Sequence, residues 1–132
     1  YFYEMYLRFY LPHNAEHWVP ELTKTAPAIV RIGAPYMLPR VMRGILNSQG
    51  LGRKPLETVL TEVETHISAV DGMLSASNWL VGEALSLADI SVFSQLFCIS
   101  GAEEGAEIIQ AHPRVDDWMQ RVNEITGHKP TA

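Results

Sequence analysis

The stretch at positions 85–90, Leu-Ser-Leu-Ala-Asp-Ile, restricts the fold of this chain more than any other. At the start of a helix, the Ser86 hydroxyl can accept a hydrogen bond from the Asp89 backbone N–H while the Asp89 carboxylate accepts one from the Ser86 N–H, which makes a capping box. Leu85 and Ile90 occupy the two positions of a hydrophobic staple. The residues that follow are apolar almost without interruption, so we expect a central helix that other helices surround.

Helical spacing of apolar residues recurs along the rest of the sequence. Aromatic residues at i, i+3 and i+7 predict a helix over residues 1–11. Further apolar stripes predict helices at about 36–49, 56–77 and 113–126, and short helices fit residues 21–32 and 103–111. Nothing in the sequence alternates as a strand does, so the predicted fold class is all-α, a helical bundle that forms a single domain over residues 1–132.

Composition disfavours several classes of function. The net charge of −5 argues against binding to nucleic acid, which needs a clustered basic surface. The longest nearly uncharged stretch, residues 90–102, is too short to cross a bilayer, so no membrane is expected as a partner. The single cysteine, Cys98, cannot form an internal disulfide and lies in an apolar run, which favours a reducing compartment and a cytoplasmic location.

Positive charge is concentrated in residues 24–54, a segment that contains no Asp or Glu. Its cationic members are Lys24, Arg31, Arg40, Arg43, Arg53 and Lys54. One interpretation of this basic segment is a solvated face that acidic helices elsewhere balance. The other interpretation is a surface that meets an anionic ligand or an acidic partner.

Two further motifs, taken with the capping box, identify a family. Trp79-Leu80-Val81-Gly82 precedes the box, and His112-Pro113-Arg114-Val115-Asp116-Asp117-Trp118 begins a late helix at a suitable distance. Together they resemble the C-terminal domain of the glutathione transferases, by motif over residues 38–127 and by position and aromatic content over residues 1–37. The resemblance implies a helical bundle in which the box and staple start the central helix and act in folding, with no part in the chemistry.

The resemblance also implies where the chemistry lies. In this family a preceding thioredoxin-like domain binds glutathione and carries the residue that activates its thiol, and no βαβ pattern of that kind occurs in these residues. We therefore expect no catalytic residue, no cofactor and no metal in this chain, with glutathione as the co-substrate of a larger parent. The basic segment is then a candidate to meet a glutathione carboxylate.

The C-terminal domain of the family supplies a wall of the pocket for the hydrophobic electrophile, chiefly from its first helix. On this chain the resemblance assigns that role to Tyr3, Tyr6 and Tyr10, because a phenol offers an apolar ring with a polar tip. The alternative for each is aromatic packing against the thioredoxin-like domain or a second subunit. The first helix has two apolar faces, which a small bundle cannot both bury, so we also expect a homodimer.

A competing motif, His13-Asn14-Ala15-Glu16-His17, fits the H-x-x-E-H pattern of the inverted zinc peptidases. In those enzymes two histidines bind zinc and the glutamate acts as general base. Pro12 and Pro20 bracket the motif closely, and the chain is far shorter than those enzymes. We interpret these histidines as surface residues near the end of the first helix.

Two classes of function remain open from the sequence. The first is the helical part of a glutathione-conjugating enzyme, with catalysis in the absent domain. The second is a non-catalytic assembly module, because transferase-like C-terminal domains also act as scaffolds that bind a protein partner. The two classes differ in whether the aromatic face of the first helix lines a pocket or an interface.

Overall fold

Within residues 2–127, which the computed structural model describes, every regular element is a helix. The elements are α1 (Phe2–Met5), which continues as the π-helix Tyr6–Tyr10, α2 (Pro12–Thr23), α3 (Ala28–Ser48), the 3₁₀ turn Leu51–Arg53, α4 (Leu56–Met73), α5 (Leu87–Ile99), α6 (Glu103–Gln110) and α7 (Pro113–Thr126). The described residues contain no strand, so the predicted all-α class is confirmed. In the same range, no helix combines the length and hydropathy that a membrane span requires.

The helices fall into two compact units, with Leu60 as the last residue of the first unit and Thr61 as the first residue of the second. The first unit contains α1 to α3, and the second contains α5 to α7. The boundary lies inside α4. The single domain expected over residues 1–132 stays a prediction.

The core of the first unit is built around its N-terminal helical segment. α1 and the π-helix that continues it bury Met5, Tyr6, Leu7 and Phe9. The buried side-chain amide of Asn14 on α2 donates a hydrogen bond of 3.0 Å to the carbonyl of Leu7. Because buried backbone oxygens need a donor, this bond fixes α2 against the π-helix.

α3 differs most from the helix that the sequence predicts. It begins at Ala28 rather than near Tyr36, and it passes through Pro35 and Pro39. A proline inside a helix removes one backbone hydrogen bond, which costs less where the freed carbonyl faces water. The carbonyls that Pro35 and Pro39 leave without a donor belong to Arg31 and Pro35, and both of these residues are exposed, so the helix can continue through both prolines. The short helix predicted over residues 21–32 is wrong, because those residues are divided between α2 and α3.

The second unit is held together by the apolar faces of its helices. Ile67 on α4 is fully buried, and the ring of Phe93 on α5 lies edge-on to that of Trp118 on α7, with centroids 6.4 Å apart. α6 approaches the end of α5 so closely that a Cβ on Gly105 would overlap the carbonyl of Ile99. Only glycine fits at this position without a shift of the backbone.

α5 follows the predicted bounds, but other helices do not surround it. It buries Phe93, Leu96 and Ile99 on one face, whereas Leu87 is 78% exposed and Ile90 is 43% exposed. The prediction of an enclosed helix is therefore wrong. Hydropathy indicates which faces of a helix are able to be buried, and the described chain covers only one face of this one.

Candidate functional site

The three tyrosines predicted for the pocket wall lie on the N-terminal helical segment of the first unit. The rings of Tyr6 and Tyr10 stack with their centroids 4.5 Å apart and their planes 8° from parallel. Tyr6 is 2% exposed, and its hydroxyl donates a hydrogen bond of 3.3 Å to the carbonyl of Lys54. Tyr3 and Tyr10 are half-buried, so only these two leave part of a ring open to a ligand.

Burial raises the pKa of the Tyr6 phenol above its ordinary value, and the neighbouring Tyr10 raises it further. A phenol with a raised pKa keeps its proton near neutral pH and acts as a hydrogen-bond donor. The donor is already engaged by the Lys54 carbonyl. The geometry therefore favours a packing role for Tyr6.

The open apolar surface of the first unit lies mainly on α3 and not on the N-terminal segment. The segment buries Met5, Tyr6, Leu7 and Phe9 and leaves Phe2 exposed and Tyr3 and Tyr10 half-buried, so it leaves less apolar surface in water than the sequence led us to expect. The exposed apolar side chains of α3 are Ile29, Val30, Ile32, Tyr36, Met37, Val41 and Ile45. Ile29 reaches 81% exposure and Tyr36 reaches 77%. The sequence prediction placed the helix start near Tyr36 and so left Ile29, Val30 and Ile32 off this helix; helical spacing alone did not show that Val41 and Ile45 stay exposed.

A groove of about 530 Å³ lies between α2 and α3, and we call it the α2–α3 groove. Its lining residues are Pro12, Ala15, Glu16, Val19, Pro20, Pro35, Tyr36, Pro39, Arg40 and Arg43. Ala15 and Val19 are buried and form an apolar floor, while proline rings make up much of the walls. The charged side chains of the lining are two arginines and one glutamate, so the groove offers an apolar body with a net positive charge.

Arg43 is held in a defined position at this groove. Its guanidinium donates a hydrogen bond of 3.2 Å to the carbonyl of Tyr10, and its Cζ lies 5.3 Å from the centroid of the Tyr10 ring. A guanidinium carries five N–H donors, so one bond to a carbonyl leaves others for a ligand. The basic segment identified in the sequence thus places Arg40 and Arg43 at a groove, next to one of the half-buried tyrosines.

The residues of the H-x-x-E-H motif lie on α2 with exposed side chains at His13, Glu16 and His17. The ring of His17 lies edge-on to that of Trp18, with centroids 5.4 Å apart. Across residues 2–127, no three His, Cys, Asp or Glu side chains are grouped as a metal site requires.

In the second unit, Asp89 is fully buried and joins three segments of the chain. Its Oδ1 accepts hydrogen bonds of 2.9 Å from the Leu80 N–H and from the Trp118 indole N–H. Its Oδ2 accepts one of 2.9 Å from the Ser86 N–H and one of 2.6 Å from the Ser86 hydroxyl. The Asp89 N–H in turn donates to the Ser86 Oγ at 3.4 Å, so both bonds of the capping box are present. The sequence motif contained no signal for the Trp118 bond.

Burial of the Asp89 carboxyl acts to raise its pKa, but the hydrogen bonds from Leu80, Ser86 and Trp118 outweigh burial and hold the pKa below its ordinary value. Asp89 is therefore a permanent carboxylate near neutral pH. Asp89 therefore stabilises the fold through its hydrogen bonds, and its ionised carboxylate carries no proton that it could give to a substrate. Leu85 is half-buried and Ile90 is exposed, and the hydrophobic staple between them stays a prediction.

Comparison with known proteins identifies a family whose model matches most of the chain. Residues 28–125 match the family model described as "Glutathione S-transferase, C-terminal domain". Glutathione S-transferase theta-1 of Mus musculus is 28% identical over 89 residues, which cover 67% of this chain and 36% of that protein. No solved structure gives a significant match.

A bacterial enzyme gives a longer match. The isoprene-epoxide–glutathione S-transferase of Rhodococcus sp. strain AD45 is 25% identical over 114 residues, which cover 83% of this chain and 48% of that protein. The chain thus spans less than half the length of each of these two relatives.

Proposed function

Because the chain belongs to the glutathione S-transferase C-terminal domain family, we propose that it is the helical part of a glutathione transferase and forms part of the wall around a hydrophobic electrophile. The family match over residues 28–125 carries this proposal. Both relatives are named as glutathione S-transferases, and one is named for the epoxide of isoprene. An epoxide is a small electrophile. When a thiolate attacks one of its carbons, a C–S bond forms as the C–O bond breaks, and the released alkoxide takes a proton from water.

The proposal divides the reaction between this chain and a thioredoxin-like domain. Activation of the glutathione thiol needs a positioned donor that lowers its pKa, and the family resemblance assigns that donor to the thioredoxin-like domain. The described helices contribute an apolar surface and cations. Tyr3 and Tyr10 are the proposed wall residues, because their rings are partly open whereas that of Tyr6 is buried.

The α2–α3 groove is the proposed place where this chain meets glutathione. Tyr3 and Tyr10 do not line it, and Tyr10 adjoins it through its contacts with Arg43. Its volume of about 530 Å³ lies within the usual range of ligand pockets. Arg40 and Arg43 line it, and a guanidinium pairs well with a carboxylate such as those of glutathione. Arg43 is already oriented by the Tyr10 carbonyl, so less side-chain freedom is lost when an anion binds.

The remaining parts of the proposal concern the setting of the enzyme. We propose a cytoplasmic location, supported by the single cysteine, and a homodimer as the functional form. The N-terminal segment offers the dimer only a small open apolar surface, at Phe2, Tyr3 and Tyr10. The exposed apolar side chains of α3 are a better reason.

The second candidate function is a non-catalytic assembly module. The exposed apolar face of α3 favours it, because a large open apolar patch often marks a surface for another protein. The two functions differ in a simple observable: an enzyme consumes glutathione in the presence of an electrophile, and a module does not.

The test is a conjugation assay on the natural polypeptide that carries this chain, with isoprene epoxide and glutathione and with loss of free thiol as the readout. Arg40→Ala should raise the KM for glutathione about tenfold, because it removes a charged partner for a carboxylate. Arg31→Ala is the matched control, since Arg31 is an exposed arginine of the same helix outside the groove.

Three results are informative. A raised KM in Arg40→Ala alone supports the proposed role of the groove. An equal KM in both variants removes the groove from the site while leaving the transferase assignment in place. Absence of conjugation by the natural polypeptide contradicts the transferase assignment and favours the assembly module.

A further inference from the structure

A group of polar side chains in the second unit joins α4 to the junction between α6 and α7. Glu64 and Ser68 are four positions apart on α4, so they share one face of that helix. Both contact the imidazole of His112, which lies at the junction. Its Nε2 is 3.3 Å from a carboxylate oxygen of Glu64 and 3.2 Å from the hydroxyl oxygen of Ser68. We call these three residues the His112 group.

The other ring nitrogen of His112 bonds to α6. Nδ1 lies 2.9 Å from the carbonyl oxygen of Ile108, in the last turn of that helix. The last carbonyls of a helix have no partner within the helix, and a histidine side chain can supply one. A carbonyl oxygen only accepts hydrogen bonds, so Nδ1 carries a hydrogen whether the ring is neutral or charged. Nε2 is therefore the nitrogen that gains and loses a proton.

The charge of the ring decides which neighbour on α4 it can bond. In the neutral ring Nε2 offers only a lone pair, so it can accept a hydrogen bond from the Ser68 hydroxyl but cannot bond the Glu64 carboxylate, which also only accepts. In the charged ring Nε2 carries a hydrogen and can donate it to Glu64 in a charge-assisted bond. The Ser68 hydroxyl, 3.5 Å from the same carboxylate, can then donate to Glu64 instead.

The three helices around the ring carry further charged side chains. Those nearest in sequence to the bonded residues, and on the same face of α4, are Asp71 on α4, Glu104 and Glu107 on α6, and Arg114 and Asp116 on α7. Asp71 and Arg114 form an ion pair with each other, and the Asp116 carboxylate accepts a hydrogen bond from Gln120. The carboxylate in contact with the ring is that of Glu64, and the His112 side chain is only 14% exposed, so water competes little for Nε2.

We propose that His112 is a pH-sensitive switch that exchanges its partner on α4. At high pH the neutral ring accepts a hydrogen bond from Ser68, and at low pH the charged ring donates one to Glu64. The bond from Nδ1 to Ile108 is present in both states, so the junction of α6 and α7 stays tied to α4 while the partner changes. All of these contacts lie inside the second unit, so the switch does not need any surface of the chain to be free.

The test uses the natural polypeptide that carries this chain and follows hydrogen–deuterium exchange by mass spectrometry in peptides from residues 61–73 and 103–116. It is run at about pH 5.5 and about pH 8, because histidine side chains generally change charge between these values. Each variant is compared with the parent at the same pH. Ser68→Ala should speed exchange about threefold at the higher pH and change it little at the lower one. Glu64→Ala should show the opposite dependence.

Two further variants separate the switch from general effects on α4. Thr65→Ala is the matched control, since Thr65 is exposed on the same helix and its hydroxyl donates to the Thr61 carbonyl. It should change exchange by the same factor at both pH values. In a His112→Ala background, Ser68→Ala and Glu64→Ala should also lose their dependence on pH.

The parent protein supplies a second measurement that needs no variant. The nitrogen chemical shifts of the His112 ring should show a hydrogen on Nδ1 at both pH values and a hydrogen on Nε2 only at the lower one. Three results overturn the proposal. A neutral ring with its hydrogen on Nε2 removes the fixed bond to Ile108. Effects of Ser68→Ala and Glu64→Ala that do not change with pH show that no partner is exchanged. A pH dependence that persists in His112→Ala assigns it to another titrating group.

Discussion

The indole N–H of Trp118 donates a hydrogen bond of 2.9 Å to the buried carboxylate of Asp89. Trp118 belongs to α7, and Asp89 lies in the first turn of α5, so one side-chain bond joins the two helices at the point where α5 begins. The other oxygen of the carboxylate serves the capping box with Ser86. The sequence motif is therefore half of a larger hydrogen-bonding group.

Asp89→Asn should destabilise the second unit by about 2–4 kcal/mol, because an amide removes the charge and turns one acceptor into a donor that faces other donors. Ser86→Ala should cost less, about 1–2 kcal/mol, because it removes only the hydroxyl. Urea unfolding followed by circular dichroism measures both. Asp117→Asn is the control, since Asp117 is exposed on the same unit; equal stability of the two Asn variants would show that the buried group is not formed.

The stability contributed by Asp89 should decrease when the pH is lowered into the acid range. In the unfolded chain the pKa of Asp89 is about 3.9, and in the folded state it is lower. The contribution of Asp89 to stability is therefore complete above the unfolded pKa and is lost as the pH falls through the folded pKa. The difference in unfolding free energy between the parent and Asp89→Asn should stay constant above about pH 5 and shrink below about pH 4. A difference that grows on acidification would contradict the lowered pKa.

Tyr6→Phe should destabilise the chain by about 1 kcal/mol, because it leaves the Lys54 carbonyl without its donor and keeps the stacked ring. Tyr10→Phe should cost less than about 0.5 kcal/mol, since Tyr10 is half-buried. Thermal unfolding compares the two. The raised pKa of Tyr6 adds a second readout: its contribution should be complete below about pH 10 and be lost as the pH rises through the folded pKa.

Substitution by alanine should raise the stability of the chain at two glycines and lower it at a third. Gly33→Ala and Gly44→Ala should each stabilise the chain by roughly 0.5–1 kcal/mol, because the new methyl group has room and the helix gains propensity. Gly105→Ala should destabilise it by about 2 kcal/mol, because its Cβ overlaps the Ile99 carbonyl. Chemical unfolding of the three variants side by side gives the comparison. Loss of stability in Gly33→Ala would mean that an internal contact occupies that face.

The 132-residue chain on its own should neither conjugate glutathione nor bind it tightly, because the proposed activating donor lies in a thioredoxin-like domain. A conjugation assay with a general electrophile, together with isothermal titration of glutathione, tests this expectation. Sedimentation at micromolar concentration tests the proposed homodimer in the same preparation. Turnover by this chain would contradict the division of labour, and a strict monomer would contradict the dimer.

Much of the fold was predictable, because it depends on local signals. The Ser86 and Asp89 pair marked the start of α5, and Pro113 and Gly127 marked the ends of α7. These residues act within a few positions of themselves, through capping bonds, a fixed φ or a left-handed φ. Sequence reasoning is reliable for effects of that range.

The failures come from effects that depend on the surroundings. Pro35 was expected to lie before a helix, and it lies inside α3 because its lost hydrogen bond falls at an exposed position. The apolar character of Leu87 was expected to bury it, and it is exposed. The α2–α3 groove was missed because two helices line it, and the sequence of neither helix shows how the two pack against each other.

The hydrogen-bonding group at Asp89 has a consequence for synthesis of the chain on the ribosome. Asp89 leaves the exit tunnel 29 residues ahead of Trp118, and Leu80 and Ser86 emerge earlier still. Until the last of these partners is outside, one donor of the carboxylate is missing and the start of α5 is incompletely bonded. The nascent second unit can therefore form the capping box early, but it cannot complete the whole hydrogen-bonding group until Trp118, the sixth residue of α7, has emerged.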